Sequence, residues 1–286
     1  MFNLTRVQST ESTDSTPKTV SADSFPCISS CAAYTTCLAY ELGLCAAGRT
    51  QAASEADGNS DLPASWSSLQ KIPARRRISH PNEWSEYISI ICDGWATSSV
   101  ALPDGRRQIL SFLLPGDIAS FAGLFDPVFS PLVETITDVT CRIFKREEVR
   151  AVVLGRRGLL RKLVEALIEE RRQADELAVD LGRRTADERL ARLILKLSER
   201  LAKRGVVKER TFEFPLRQWQ IADATGLTPV HVSKVLREFQ RADLIEIKDR
   251  SLTILDPTEL HHVANRSGIN VHFSDQRSGM AKTNVA

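Results

Sequence analysis

LRQWQIADATGLTPVHVSKVLREFQR, residues Leu216–Arg241, reads as two short helices joined by a tight turn. Ile221 and Ala222 lie on the inner face of the first helix, near Leu216. Ala224-Thr225-Gly226-Leu227 makes the turn, with Gly226 taking the positive φ that other residues resist. Leu227 then drops between the helices. Thr228 is a good N-cap, and Pro229 suits the first helical position, where its missing N–H costs nothing. Val232, Val235, Leu236 and Phe239 recur at helical spacing and face inward. Val230, His231, Ser233, Lys234 and Arg237 are left on the outer face.

Turn, cap and polar face agree, which favours a helix-turn-helix over an ordinary helix pair in an all-α core. The second helix of such a motif can lie in the DNA major groove. The flanks point the same way. Leu244–Ile247 and Ser251–Leu255 are short β-prone runs around Lys248-Asp249-Arg250, a hairpin that makes the motif a winged one. Upstream, Thr185–Lys203 is strongly amphipathic, with Leu190, Leu193, Ile194 and Leu197 as its stripe. Thr185 and Glu188 fit a capping box there.

A chain of 286 residues has room for two folded domains with tails. Its net charge of +2 means that any phosphate binding depends on local clustering, and basic residues are frequent from Arg142 to Arg241. No run is long and apolar enough to span a bilayer. The stretch 27–47 resembles a signal-peptide core, but Glu41 interrupts it and few basic residues precede it, so a cytoplasmic protein is expected. In that compartment the six cysteines read as free thiols, metal ligands or redox groups rather than disulfides. Residues 1–65 read as a disordered arm with a cysteine group and a linker at 48–65; residues 263–286 read as a polar tail.

From Glu86 to Phe144 the pattern is strands with turns about every ten residues. Strands are predicted at Tyr87–Cys92, Trp95–Leu102, Arg106–Leu114, Leu132–Thr137 and Val139–Phe144. The turns between them fall at Asp93-Gly94, Pro103-Asp104-Gly105 and Pro115-Gly116-Asp117. Such spacing suggests a sandwich, roll or barrel over 66–150. A long helix follows, roughly Glu147 to Gly182, with an interruption expected near Gly155–Gly158. Leu160, Leu163, Leu167, Ala174, Leu177 and Leu181 step along it by threes and fours, with Glu170 breaking the row. That row suits a coiled-coil partner, and it also suits one face packed on its own domain. Dimerisation over 151–184 is favoured because a helix-turn-helix protein usually reads two half-sites. The winged domain is assigned to 185–262. The whole is an α+β chain.

The order β-roll, long helix, winged helix-turn-helix resembles the CRP/FNR family of bacterial transcription regulators. Three stretches carry the likeness: Leu102–Ile118 with its Pro-Gly-Asp turn, Thr185–Gly205, and Ile221–Ile247. The resemblance implies a cyclic-nucleotide-binding-like domain, a homodimer on palindromic double-stranded DNA, and contact with RNA polymerase. It implies DNA contacts from Thr228, Val230, His231, Ser233, Lys234 and Arg237. A typical family pattern has Glu where this chain has Val230 and Arg where it has Lys234, so the familiar half-site is not expected.

Family members that bind cyclic nucleotides hold the phosphate with an Arg-Ser pair after the Pro-Gly-Asp strand. Here the run from Gln108 to Cys141 contains no Arg or Lys, which argues against cAMP. The oxygen-sensing branch ligates a [4Fe-4S] cluster with N-terminal cysteines and one in the β-roll. By that resemblance the ligands would be Cys27, Cys31, Cys37 and Cys141. Cys45 is a competing ligand, and the first gap is one residue longer than is typical. An intact cluster would then favour the paired helix, and Glu170 would keep that pairing marginal. Redox-active thiols, a zinc site and unassociated cysteines stay open as alternatives. So do an effector-independent regulator and a regulatory ligand module that does not bind DNA. An enzyme is not expected, since no phosphate-binding glycine loop, nucleophile elbow or metalloprotease His pair is present.

Overall fold

Short strands punctuated by glycine turns build the first half. The computed structural model describes residues 67–78, 86–119, 122–126 and 131–268. The arm with Cys27, Cys31, Cys37 and Cys45, and the tail beyond 268, lie outside the described residues. Strands β1 (Ser67–Ile72), β2 (Tyr87–Asp93) and β6 (Val139–Lys145) form one sheet in the order β1-β6-β2. Strands β3 (Ala96–Ala101), β4 (Arg107–Leu113) and β5 (Leu132–Thr135) form a second in the order β4-β3-β5. All pairings are antiparallel, and Ile91, Ala96, Val133, Val139 and Cys141 fill the space within the roll. The β2–β3 corner needs its glycine. Gly94 has φ +84°, and a Cβ there would stand 2.2 Å from Asp138 O.

The long helix is two helices, α1 (Arg146–Gly155) and α2 (Arg157–Arg183), broken at Arg156 within the interruption expected at Gly155–Gly158. Val149 and Val153 of α1, with Leu159 and Leu163 of α2, pack on Ile88, Ile90 and Phe144 of the roll. Helix α3 (Ala186–Ala202) starts with the expected capping box between Thr185 and Glu188. Strand β7 (Thr211–Glu213), helices α4 (Gln218–Thr225) and α5 (Pro229–Arg241), the β8 (Ile245–Lys248)–β9 (Ser251–Ile254) hairpin and α6 (Pro257–Ala264) complete the chain. The first residues of the expected tail are ordered: Ser267 donates its N–H to Glu188 Oε1 at 2.6 Å. Burial raises the Glu188 carboxyl, but bonds from Ser267 and Thr185 outweigh that and hold it down at about 2.

The two halves share a core. Trp95, Ile109, Phe112 and Leu114 of the roll pack with Leu190, Ile194 and Leu197 of α3 and with Ile221 of α4. Asp117, from the Pro-Gly-Asp turn, accepts bonds from Arg200 of α3 and from Arg204, just past the end of that helix, at 2.5 Å each. Arg107 of β4 pairs with Glu134 at 2.8 Å and Asp223 of α4 at 3.3 Å, and lies 4.7 Å over the Trp219 ring. The winged domain is thus docked on the roll through both apolar and ionic contacts. Among the described residues, no helix is long and apolar enough to cross a membrane.

Candidate nucleic-acid interface

Helices α4 and α5 form the helix-turn-helix anticipated from Leu216–Arg241. Gly226 caps α4 in the left-handed region, at φ 64° and ψ 36°. A Cβ on it would stand 3.0 Å from Leu181 Cδ2, so the turn is closed by α2 as well as by its own helices. Thr228 Oγ1 accepts the His231 N–H at 3.2 Å, and Pro229 occupies the first turn of α5. Val232, Val235, Leu236 and Phe239 are buried beneath the helix.

The opposite face of α5 is open. Val230 is 79% exposed, and Thr228, His231, Lys234 and Arg237 are exposed with Ser233 at their edge. Arg237 Nε bonds Ser233 O at 3.2 Å, and Lys234 stands 3.9 Å from Glu238. Both cations stay on the solvent side, where a weak helical ion pair offers little competition to a phosphate or a guanine edge. The β8–β9 hairpin closes on Asp249 (φ 49°) and Arg250 (φ 62°), left-handed residues suited to a two-residue hairpin loop. That loop places Lys248 and Arg250 exposed on the wing beside α5.

The leucines of α2 do not form one continuous seam. Leu163 is 2% exposed and packs with Leu167 on the β-roll. Leu181 meets the turn at Gly226, and Leu177 lines a cavity between α2 and α3. Leu160 and Ala174 remain exposed. The helix meets the roll, α3 and the Gly226 turn in succession, so a single sequence period serves several different contacts. The large apolar side chains left open on it are Leu160, Val164 and Ile168, spaced by four, and Glu170 is exposed beside them.

Cys141 lies on β6, the central strand of its sheet, with Gln70 on one side and Ile91 on the other. It is 0% exposed, and burial pushes its thiol up to about 12. A cluster ligand is a thiolate, so iron binding here would have to displace the Cys141 proton and open the roll around it. Cys27, Cys31 and Cys37 fall outside the described residues. Among the described residues, no group of three or more His, Cys, Asp or Glu is placed to hold a metal ion. Cys92 is half-buried, with Sγ 3.8 Å from Ile90 O.

Several functional features escaped the sequence reading. Docking of β4 on α4 joins residues 116 apart, which no local pattern encodes. Strand β1 and helix α6 were not anticipated, although Asp256-Pro257 carried a helix-start signal, and Asp256 Oδ1 does cap Glu259 N at 2.9 Å. The run Arg75-Arg76-Arg77 carries no turn, cap or periodicity signal that singles it out.

Residues 69–155 match the model of the cyclic nucleotide-binding domain, and residues 188–263 match the Crp-like helix-turn-helix domain. The chain is 37% identical over 164 residues to the nitrogen fixation regulation protein FixK of Bradyrhizobium diazoefficiens, covering 57% of this chain and 68% of FixK. It is 30% identical over 181 residues to the fumarate and nitrate reduction regulatory protein of Vibrio cholerae, covering 62% and 70%. The solved structure of FixK2 from Bradyrhizobium japonicum superposes with a TM-score of 0.63 at 28% identity, covering 69% of this chain and 96% of FixK2. The two family models fall on the roll and on the winged domain in the order seen here, and the chain belongs to the CRP/FNR family of DNA-binding transcription regulators.

Proposed function

We propose that this regulator acts in the cytoplasm as a homodimer on a palindromic operator and contacts RNA polymerase there. The observation that carries the reading is the open face of α5. His231, Lys234 and Arg237 stay exposed while the rest of the helix-turn-helix is packed between α2, α3 and the roll. Two such faces related by a two-fold axis would read two half-sites. Leu160, Val164 and Ile168 supply the apolar stripe for that axis, since a second α2 covering them removes three side chains from water. Substituting Leu160→Asp and Ile168→Asp together should give a monomer by sedimentation and weaken operator binding. A dimer of unchanged affinity would count against the seam.

The signal is read as oxygen or cellular redox state. Support comes from the likeness to the Vibrio cholerae fumarate and nitrate reduction regulatory protein. Cys141, closed within the roll, lends no support to a cluster-based signal. A cyclic nucleotide is not expected to act either, given the absence of cations from Gln108 to Cys141. Protein purified without air, compared before and after exposure, tests both statements. DNA affinity should respond to redox state and not to cAMP, and iron should be unaffected by Cys141→Ala.

A further inference from the structure

We propose that the β-roll itself grips DNA, through the turn Arg75-Arg76-Arg77, as an extension of the helix-turn-helix interface. This rests on the DNA-binding reading of the winged domain and adds a second element to it. The three arginines are consecutive and exposed, and no carboxylate among the described residues bonds their side chains. The backbone beneath them is fixed. Thr135 O accepts the Arg75 N–H at 2.9 Å, Thr135 Oγ1 accepts the Arg76 N–H at 2.9 Å, and Asp138 Oδ1 accepts the Ala74 N–H at 2.9 Å. Arg75 is held at φ 62°, a left-handed conformation that a side-chain-bearing residue adopts at a cost.

That turn borders a cleft of about 920 Å³ between the roll and the winged domain. Four arginines from four different elements line it: Arg75 from the roll, Arg217 from the start of α4, Arg237 from α5 and Arg250 from the wing. The one carboxylate in the lining, Glu134, is already engaged by Arg107 at 2.8 Å. Like charges gathered without acids repel one another, and an anion between them relieves the repulsion. Three of the four belong to elements that meet duplex DNA in a winged helix-turn-helix, so the anion that fits is the sugar–phosphate backbone of the bound duplex. The Arg107–Asp223 pair and the Asp117 clasp hold the roll beside those elements, so Arg75 needs no separate ordering to join them.

The test uses the full chain and a duplex selected by the wild-type protein from a random-sequence library. Affinity is then measured against salt for wild type, for the Arg75→Ala/Arg76→Ala/Arg77→Ala variant and for the triple Lys variant. Each lost phosphate contact lowers the slope of log K against log salt by about 0.9, so loss from both protomers should reduce it by about two or more. Affinity should fall roughly tenfold or more at moderate salt, with base preference unchanged and the Lys variant restoring most of the slope. Because Ala at φ 62° is strained, an Arg75→Gly/Arg76→Ala/Arg77→Ala variant of wild-type melting temperature must show the same loss. Wild-type slope and affinity in a folded triple variant would overturn the clamp alone. Tighter binding would also overturn it, since the roll would then stand in the way of DNA. If the wild-type chain selects no duplex, the DNA-binding reading fails and the clamp fails with it.

Discussion

Replacing Asp117 by alanine should split this molecule into two separately unfolding parts. The Asp117 carboxylate accepts bonds from Arg200 and Arg204 at 2.5 Å each, and caps the Leu114 N–H at 2.7 Å. The Arg204 side chain is 8% exposed and that of Asp117 is 20% exposed, so solvent screens the pair weakly. A hydrogen bond to a charged group contributes about 1.5–3 kcal/mol. Arg204 retains Pro115 O and Arg200 O as acceptors, which limits the loss. Asp117→Ala should therefore cost about 3 kcal/mol, and Asp117→Asn, which keeps the Leu114 cap, about half of that. Urea unfolding followed by tryptophan fluorescence is a suitable assay, because Trp95 lies in the shared core and Trp219 at the β4–α4 contact. Wild type should unfold in one transition and Asp117→Ala in two. A double-mutant cycle with Arg204→Met isolates the pair, with an expected coupling of about 1–3 kcal/mol. Coupling under about 0.5 kcal/mol, with a single transition in every variant, would refute the view that this clasp joins the two halves.

Three further outcomes follow from individual residues. Glu188 is held at about 2 against an ordinary value of 4.5, so the unfolded chain binds the proton first. Its stabilising contribution is complete above the ordinary value and is lost as pH falls toward 2; melting temperature against pH should flatten over that window in Glu188→Gln. Gly226→Ala meets both the left-handed φ and Leu181 Cδ2 at 3.0 Å, and should cost about 1–2 kcal/mol in chemical denaturation. A smaller cost than Gly182→Ala, in open space on α2, would contradict that account. The Cys141 thiol, pushed up to about 12, should resist iodoacetamide at neutral pH until the roll unfolds, whereas Cys92 reacts earlier. Mass mapping that finds Cys141 alkylated in the native protein at the rate of a free thiol would reopen it as a ligand.

The helix-turn-helix was legible because its signals are local. Gly226, Thr228 and Pro229 determine a turn, a cap and a first helical residue within four positions, and the structure keeps each role. The glycine turns marked the strands for the same reason. The α2 row was less legible, since a period of three and four records that a face is buried but not what buries it. Leu163 serves the roll, Leu181 the Gly226 turn, and Leu160 none of these. The Cys141 reading failed to anticipate burial because spacing along the chain is silent about which face of β6 a residue occupies. Docking of the two halves was not legible at all. Asp117 and Arg200 are 83 residues apart, and each alone reads as an ordinary surface charge.

Everything proposed for this chain depends on α5 reading DNA from its open face. Selection of duplexes by the wild-type protein and by Lys234→Ala, with salt-dependent affinities for each, tests it most directly. The expected result is a palindromic site, steeply salt-dependent binding, and relaxed base preference at one symmetric pair of positions in Lys234→Ala, with a loss of about 1–3 kcal/mol if the contact is to a base. Absence of salt-dependent duplex binding by the wild-type chain would contradict it.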